Sequence, residues 1–124
     1  MAGELVLIVE DNEKNRRLVR DVLQFKGYQT IETETGEEGV ELARSRQPAL
    51  VLMDIQLPGI DGITALKRLR EDPTTRDMKV MAVTASAMTQ DRQNILSAGF
   101  DGYQSKPINV KSFLEAVEAL LRTP

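Results

Sequence analysis

The 124-residue sequence contains no cysteine, no histidine and no tryptophan. Without cysteine there are no disulfides, no thiol nucleophiles and no zinc-finger spacing. Without histidine there is no Ser-His-Asp or Cys-His machinery on this chain. Any chemistry must therefore use carboxylates, hydroxyls, lysine, or a metal held through oxygen. Aromatic residues make up only 4% of the chain, which leaves no obvious platform for stacking nucleic-acid bases. No apolar run approaches the ~20 residues needed to span a bilayer, and no signal peptide is visible before the first apolar segment. The formal charge of −3 argues against nucleic acid or an anionic membrane surface as main partner. These absences together lead us to expect a cytoplasmic protein that binds no nucleic acid and inserts in no membrane. What is present, 41% hydrophobic and 28% charged residues in one domain's length, suits a folded globular unit.

Three short, unbroken apolar runs stand out: Leu5–Val9, Leu50–Met53 and Val80–Val83. Such runs are expected of strands buried on both faces. Tyr28–Thr33 alternates polar and apolar residues, and Asp101–Lys106 is mostly polar, so these two segments suit sheet edges. Helical patterns lie between them. Asn12 can cap a helix carrying Leu18, Val19, Val22 and Leu23 and closed at Gly27. Thr35-Gly36-Glu37-Glu38 has the form of a capping box, opening a helix that Pro48 stops. Ile63, Leu66 and Leu69 form a narrow stripe ending at Asp72-Pro73. A fourth helix, from about Thr89 to Ala98, has only Met88, Ile95, Leu96 and Ala98 to bury. In the last, after a cap at Asn109, Val110, Phe113, Leu114, Val117, Leu120 and Leu121 recur at helical spacing. Five βα units with continuous apolar strands predict an α/β fold: a five-stranded parallel sheet of order 2-1-3-4-5, doubly wound and flavodoxin-like. Residues 1–124 are expected to form a single domain.

In an open α/β sheet, ligands collect at the carboxyl ends of strands, where the strand order reverses. Here that point lies between the first and third strands, which end in Glu10-Asp11 and Asp54. One such acid alone would read as a helix cap or a solvated loop charge. Three converging carboxylates repel one another and call for a cation, and hard oxygen ligands without His or Cys point to Mg²⁺. Thr84 and Lys106, at the ends of the fourth and fifth strands, add a hydroxyl and an ammonium suited to a phosphoryl group. Neither usual glycine-rich phosphate loop is present, so a bare phosphoryl group fits better than a nucleotide.

Leu7-Ile8-Val9-Glu10-Asp11-Asn12, the run from Leu52 through Asp54-Ile55-Gln56-Leu57-Pro58 to Gly62, Val83-Thr84-Ala85 and Lys106-Pro107 resemble the hallmark blocks of the response-regulator receiver domain, the CheY-like fold. The resemblance runs from Leu5 to about Leu121 and is most pronounced with stand-alone, single-domain receivers. Receiver modules of hybrid histidine kinases share the Asp-Ile-Gln-Leu-Pro and Ser-Lys-Pro-Ile turns. The resemblance implies a receiver without an output domain, acting in two-component or phosphorelay signalling. It implies that Asp54 accepts a phosphoryl group from a phosphohistidine on a histidine kinase or histidine phosphotransferase. Mg²⁺, for which Mn²⁺ could substitute, would be held by Asp11, Asp54 and the backbone carbonyl of Gln56, with Glu10 acting through a water. Lys106 would pair with the acids at rest and with the phosphoryl oxygens after transfer, next to a cis Lys106-Pro107 bond. Thr84 and Tyr103 would be the switch residues, altering the surface offered to a downstream protein target. Gln56 and Ser86 would tune hydrolysis of the acyl phosphate. Partner docking would involve Asn15, Leu18, Pro107 and Ile108, although Leu18 reads equally as core. Arg16, Arg17 and Arg20 read as a solvated basic face.

Two rivals come from other classes. A metal-dependent phosphohydrolase forming an aspartyl phosphate usually needs a second Asp two residues after the nucleophile, where this chain has Gln56. A flavodoxin-type electron carrier needs a Ser/Thr/Gly-rich phosphate loop where this chain has Glu10-Asp11-Asn12. The expectation is therefore a phosphoacceptor signalling domain rather than a multiple-turnover enzyme.

Overall fold

The structure is a computed structural model, and it describes residues 3–85 and 89–122, without the side chains of 89–91. Strand and helix alternate throughout: β1 (Leu5–Val9), α1 (Glu13–Phe25), β2 (Gln29–Thr33), α2 (Gly36–Arg46), β3 (Leu50–Asp54), α3 (Gly62–Glu71), β4 (Lys79–Thr84), α4 (Thr89–Ser97), β5 (Gly102–Ser105) and α5 (Val110–Arg122). The sheet is parallel, in the order β2-β1-β3-β4-β5. Both the class and the order are those expected.

Side-chain alternation along the strands divides the apolar residues between two cores. Leu7 and Val9 of β1, Val51 and Met53 of β3, and Val80 and Ala82 of β4 pack with α2, α3 and Ile95 of α4. Val6, Ile8, Leu50, Leu52, Met81 and Val83 point the other way, onto Val19 and Leu23 of α1 and Phe113 and Val117 of α5. This is why the central runs are unbroken: each face of the sheet has its own layer of helices. β5, at an edge, is only half-buried.

Local signals hold the helices in place. Asn12 caps α1 by accepting a hydrogen bond from the Asn15 amide at 3.0 Å, and Asn109 accepts likewise from Ser112 at 3.0 Å. The capping box of α2 is only half formed: Thr35 Oγ1 accepts from the Glu38 amide, but the Glu38 carboxylate accepts from the Thr33 hydroxyl. α2 ends at Arg46, where Gln47 enters the left-handed region at φ 47° just before Pro48, the residue expected to stop it. Its side-chain amide donates to the carbonyls of Ala43 and Arg44, satisfying carbonyls the helix end leaves open. Three apolar residues expected on buried helix faces fall outside the core. Leu18 is 40%, Leu96 42% and Val110 44% exposed, because each lies at the margin of its helix's buried arc, and Met88 lies outside the described residues. Among the described residues, no helix is long and apolar enough to cross a membrane.

Candidate functional site

β1 and β3 are hydrogen-bonded neighbours, so the residues ending them emerge side by side. Glu10, Asp11 and Asp54 each present a carboxylate oxygen, all within 4.8 Å of one another. Glu10 and Asp54 are both 4% exposed, whereas Asp11 faces solvent. The floor beneath them is apolar. Ile8, Val19, Leu52 and Val83 enclose only about 10 Å³ there, at the lower limit for a single water.

Lys106 reaches this cluster from the end of β5. Its Nζ lies 2.8 Å from Glu10 Oε1 and 3.0 Å from Asp54 Oδ2. Asp54 also accepts from the Gln56 amide through Oδ1 at 3.2 Å, so both of its oxygens are engaged. Glu10 Oε2 accepts from the Asn12 amide at 3.2 Å. One ammonium thus serves two buried carboxylates, with a third acid beside them. Burial, reinforced by the neighbouring Asp54, pushes the Glu10 carboxyl up to about 7 despite the hydrogen bond from Lys106. Burial pulls the Lys106 ammonium down, but its bonds to Glu10 and Asp54 outweigh that and hold it above its ordinary value. The donor set is entirely oxygen, anionic and partly open to solvent, which fits a hard divalent cation such as Mg²⁺.

Thr84 is buried at the end of β4, and its carbonyl accepts from the Lys106 amide at 2.7 Å. The β4 end and the lysine loop are therefore joined through main chain. The Lys106–Pro107 peptide is cis, as expected. Tyr103 is half-buried on β5 against the first core, with the Arg92 guanidinium 5.6 Å from its ring centre. Gln56 is exposed beside the site, and Ser86 lies outside the described residues. Of the expected docking residues, Leu18 and Pro107 are exposed, while Asn15 and Ile108 are half-buried.

Three structural contributions were not assigned from sequence. Asp61 caps α3 by accepting from the Thr64 amide at 2.8 Å, a role its position before Gly62-Ile63-Thr64 could have signalled. Gly62 sits where a Cβ would come within 2.3 Å of the Asp54 carbonyl, so the start of α3 packs directly on the backbone of the central acid. Arg16 is not part of a solvated face: its side chain is 16% exposed and donates to the Glu10 carbonyl at 3.0 Å. Arg17, by contrast, is 64% exposed and pairs only loosely with Glu13. Three arginines so close in sequence look alike there, and only the α1 rotation separates them.

Residues 6–118 match the response regulator receiver domain family. The polar-differentiation response regulators DivK of Brucella ovis and Brucella abortus strain 2308 are each 47% identical over 116 residues, which is 94% of this chain and 94% of theirs. Among solved structures, the receiver domain of sensor histidine kinase PA1611 from Pseudomonas aeruginosa, described with a magnesium ion in its active-site cleft, superposes with a TM-score of 0.91. It is 30% identical and covers 98% of this chain and 100% of its own. A CheY-like receiver domain protein from Methanospirillum hungatei, also 30% identical, gives 0.84 over 97% of this chain and 94% of its own. Sequence, fold and the placement of the acids agree, and the chain belongs to the response regulator receiver family of two-component signalling.

Proposed function

We propose that this receiver accepts a phosphoryl group on Asp54 from a phosphohistidine of a histidine kinase or histidine phosphotransferase, with Mg²⁺ as cofactor. The observation that carries this reading is the Lys106 ammonium held between Glu10 and Asp54 beside the open carboxylate of Asp11. Asp11, Asp54 and the Gln56 carbonyl would hold the ion, with Glu10 acting through a water, and Mn²⁺ could take the same place. When bound, the metal supplies neutralisation of the charge on the transferring phosphoryl oxygens.

The chain's own residues supply the remainder. An Asp54 carboxylate oxygen forms a P–O bond as the P–N bond to the donor imidazole breaks. The bonding electrons leave with the imidazole nitrogen, so the donor histidine returns neutral after taking up a proton from solvent. Lys106 already contacts Asp54 and can follow the developing charge onto the phosphoryl oxygens. Phosphorylation adds about −1.5 to −2 charge. The Thr84 hydroxyl would donate to the new group, and Tyr103 would turn inward, changing the face presented to a downstream protein target. Gln56 and Ser86 would set how quickly water reaches the acyl phosphate. Asn15, Leu18, Pro107 and Ile108 would meet the phosphodonor protein.

The test is incubation with a small-molecule phosphodonor and Mg²⁺, followed by intact mass measurement. Wild type should gain one phosphoryl group and Asp54→Asn none. An unmodified wild type would overturn the proposal, and steady turnover of varied phosphate esters would favour a phosphohydrolase instead.

A further inference from the structure

Arg16 makes contacts that a surface arginine has no need of. From the first turns of α1, its Nη1 donates to the Glu10 carbonyl at 3.0 Å. The same guanidinium lies 3.4 Å from Glu32 Oε1 and 3.5 Å from Glu34 Oε1, at the carboxyl end of β2. Arg20 adds a weaker contact to Glu32 at 3.7 Å. One rigid fork therefore joins α1, the end of β2 and the Glu10–Asp11 peptide.

That peptide is the consequential partner. Its carbonyl belongs to Glu10 and its amide to Asp11, so fixing its plane fixes the direction in which Asp11 leaves the backbone. Glu10 is also held through its own amide, which donates to the Thr33 carbonyl at 3.0 Å, and through Lys106. Asp11 is the exposed member of the trio, and its placement depends most on the backbone that carries it.

We infer that Arg16 is a positioning residue for the cation site, setting the orientation of the Glu10–Asp11 peptide so that Asp11 and Asp54 can grip one ion together. This rests on the reading of the acidic cluster as a Mg²⁺ site. The geometry distinguishes positioning from simple charge. Arg16 is a cation beside an anionic site, and its removal would take a positive charge from Glu34 and leave Glu32 only the weaker Arg20 contact. A field effect alone therefore predicts tighter Mg²⁺ binding without Arg16. A positioning role predicts weaker binding, because Asp11 loses its fixed direction. Lysine would keep the charge but, as a point donor, cannot hold the carbonyl and both glutamates at once.

The experiment is a Mg²⁺ titration followed by amide NMR shifts of the full chain, with no phosphodonor present, on wild type, Arg16→Met, Arg16→Lys and Glu32→Gln. Outer-shell partners typically contribute 10–100-fold to metal affinity, so Arg16→Met should raise the Mg²⁺ Kd about tenfold. Arg16→Lys should fall between, and Glu32→Gln, which loosens the anchor but keeps the arginine, should weaken binding more mildly. Melting in EDTA serves as the second readout. A purely structural arginine would lower the melting temperature while leaving the Kd of the folded fraction unchanged, and that result would overturn the inference. Equal or tighter Mg²⁺ binding by Arg16→Met would overturn it too. Should Arg16→Met not fold, the ordering of wild type, Arg16→Lys and Glu32→Gln decides. A wild type that shows no Mg²⁺-dependent shifts would instead sink the underlying reading of the site.

Discussion

Glu10 is the residue whose ordinary chemistry the fold changes most clearly. Burial and the adjacent Asp54 lift its carboxyl from 4.5 to about 7, so the folded chain holds a proton that the unfolded chain has released. Stability from that proton is fully present below about pH 4.5 and is lost as pH rises through about 7. In EDTA, the melting temperature of wild type should therefore gain a component on going from pH 7.5 to 5.5. Glu10→Gln, which carries no titrating proton, should lack that component, and a pair of thermal melts at each pH checks it. Lys106 does not contribute to the same window, since its bonds to the two acids keep it charged throughout. The acids and Thr84 were legible in the sequence because each sits where an apolar strand run ends, and Lys106 because it closes the polar segment of the edge strand β5. Arg16 was not, because its value comes from a main-chain carbonyl and from two glutamates, Glu32 on β2 and Glu34 just after it, that lie well away from it in the chain.

At the scale of elements, the close approach of α3 to β3 is the tightest constraint near the site. The Gly62 amide donates to the Ile55 carbonyl at 2.9 Å, and its missing side chain lets the helix start against the Asp54 carbonyl. A methyl there meets backbone, which cannot swing aside as a side-chain tip can. Gly62→Ala should cost at least about 2 kcal/mol in urea unfolding, through overpacking. It should also shift the Asp54 amide in NMR spectra, which an effect on helix propensity alone would not do. The other elements show where pattern reading succeeds. Leu5–Val9 is uniformly apolar because both faces of β1 are covered, and its bounds matched. Leu96 and Val110 misled, and Leu18 was left open between core and surface, because hydrophobic type marks a possible stripe, while the rotation of the helix against its neighbours decides which residues face inward. The reciprocal half of the α2 capping box failed because Glu38 had a better-placed partner in the Thr33 hydroxyl, a contact between elements that a local motif cannot contain.

For the whole molecule, the two cores share one sheet, with Leu52 and Met53 of β3 pointing to opposite sides. Neither helix layer can detach without exposing a face of the same strands, so the chain should unfold as one unit. Phe113 is fully buried between α5 and the sheet. Phe113→Ala should cost about 3–5 kcal/mol, a large part of the roughly 5–15 kcal/mol total typical of such domains. The urea midpoint should fall with its slope unchanged, and far-ultraviolet dichroism and tyrosine emission should report the same transition. Separate midpoints from the two probes would mean that the cores melt independently. The order 2-1-3-4-5 was legible because composition alone separates the polar edge segments from the apolar centre. The depth at which each acid sits was not, since Asp11 and Asp54 look alike in sequence but are respectively exposed and 4% exposed.

With no tryptophan, the two tyrosines dominate the intrinsic near-ultraviolet signal, and they stand in different neighbourhoods. Tyr28 is 8% exposed within the second core, while Tyr103 lies half-buried on β5 beneath Arg92. Replacing Tyr28 with phenylalanine keeps most of the core volume and leaves one phenol. The chain would then carry a built-in optical reporter on the edge of the sheet bordering the lysine loop, read without any attached dye.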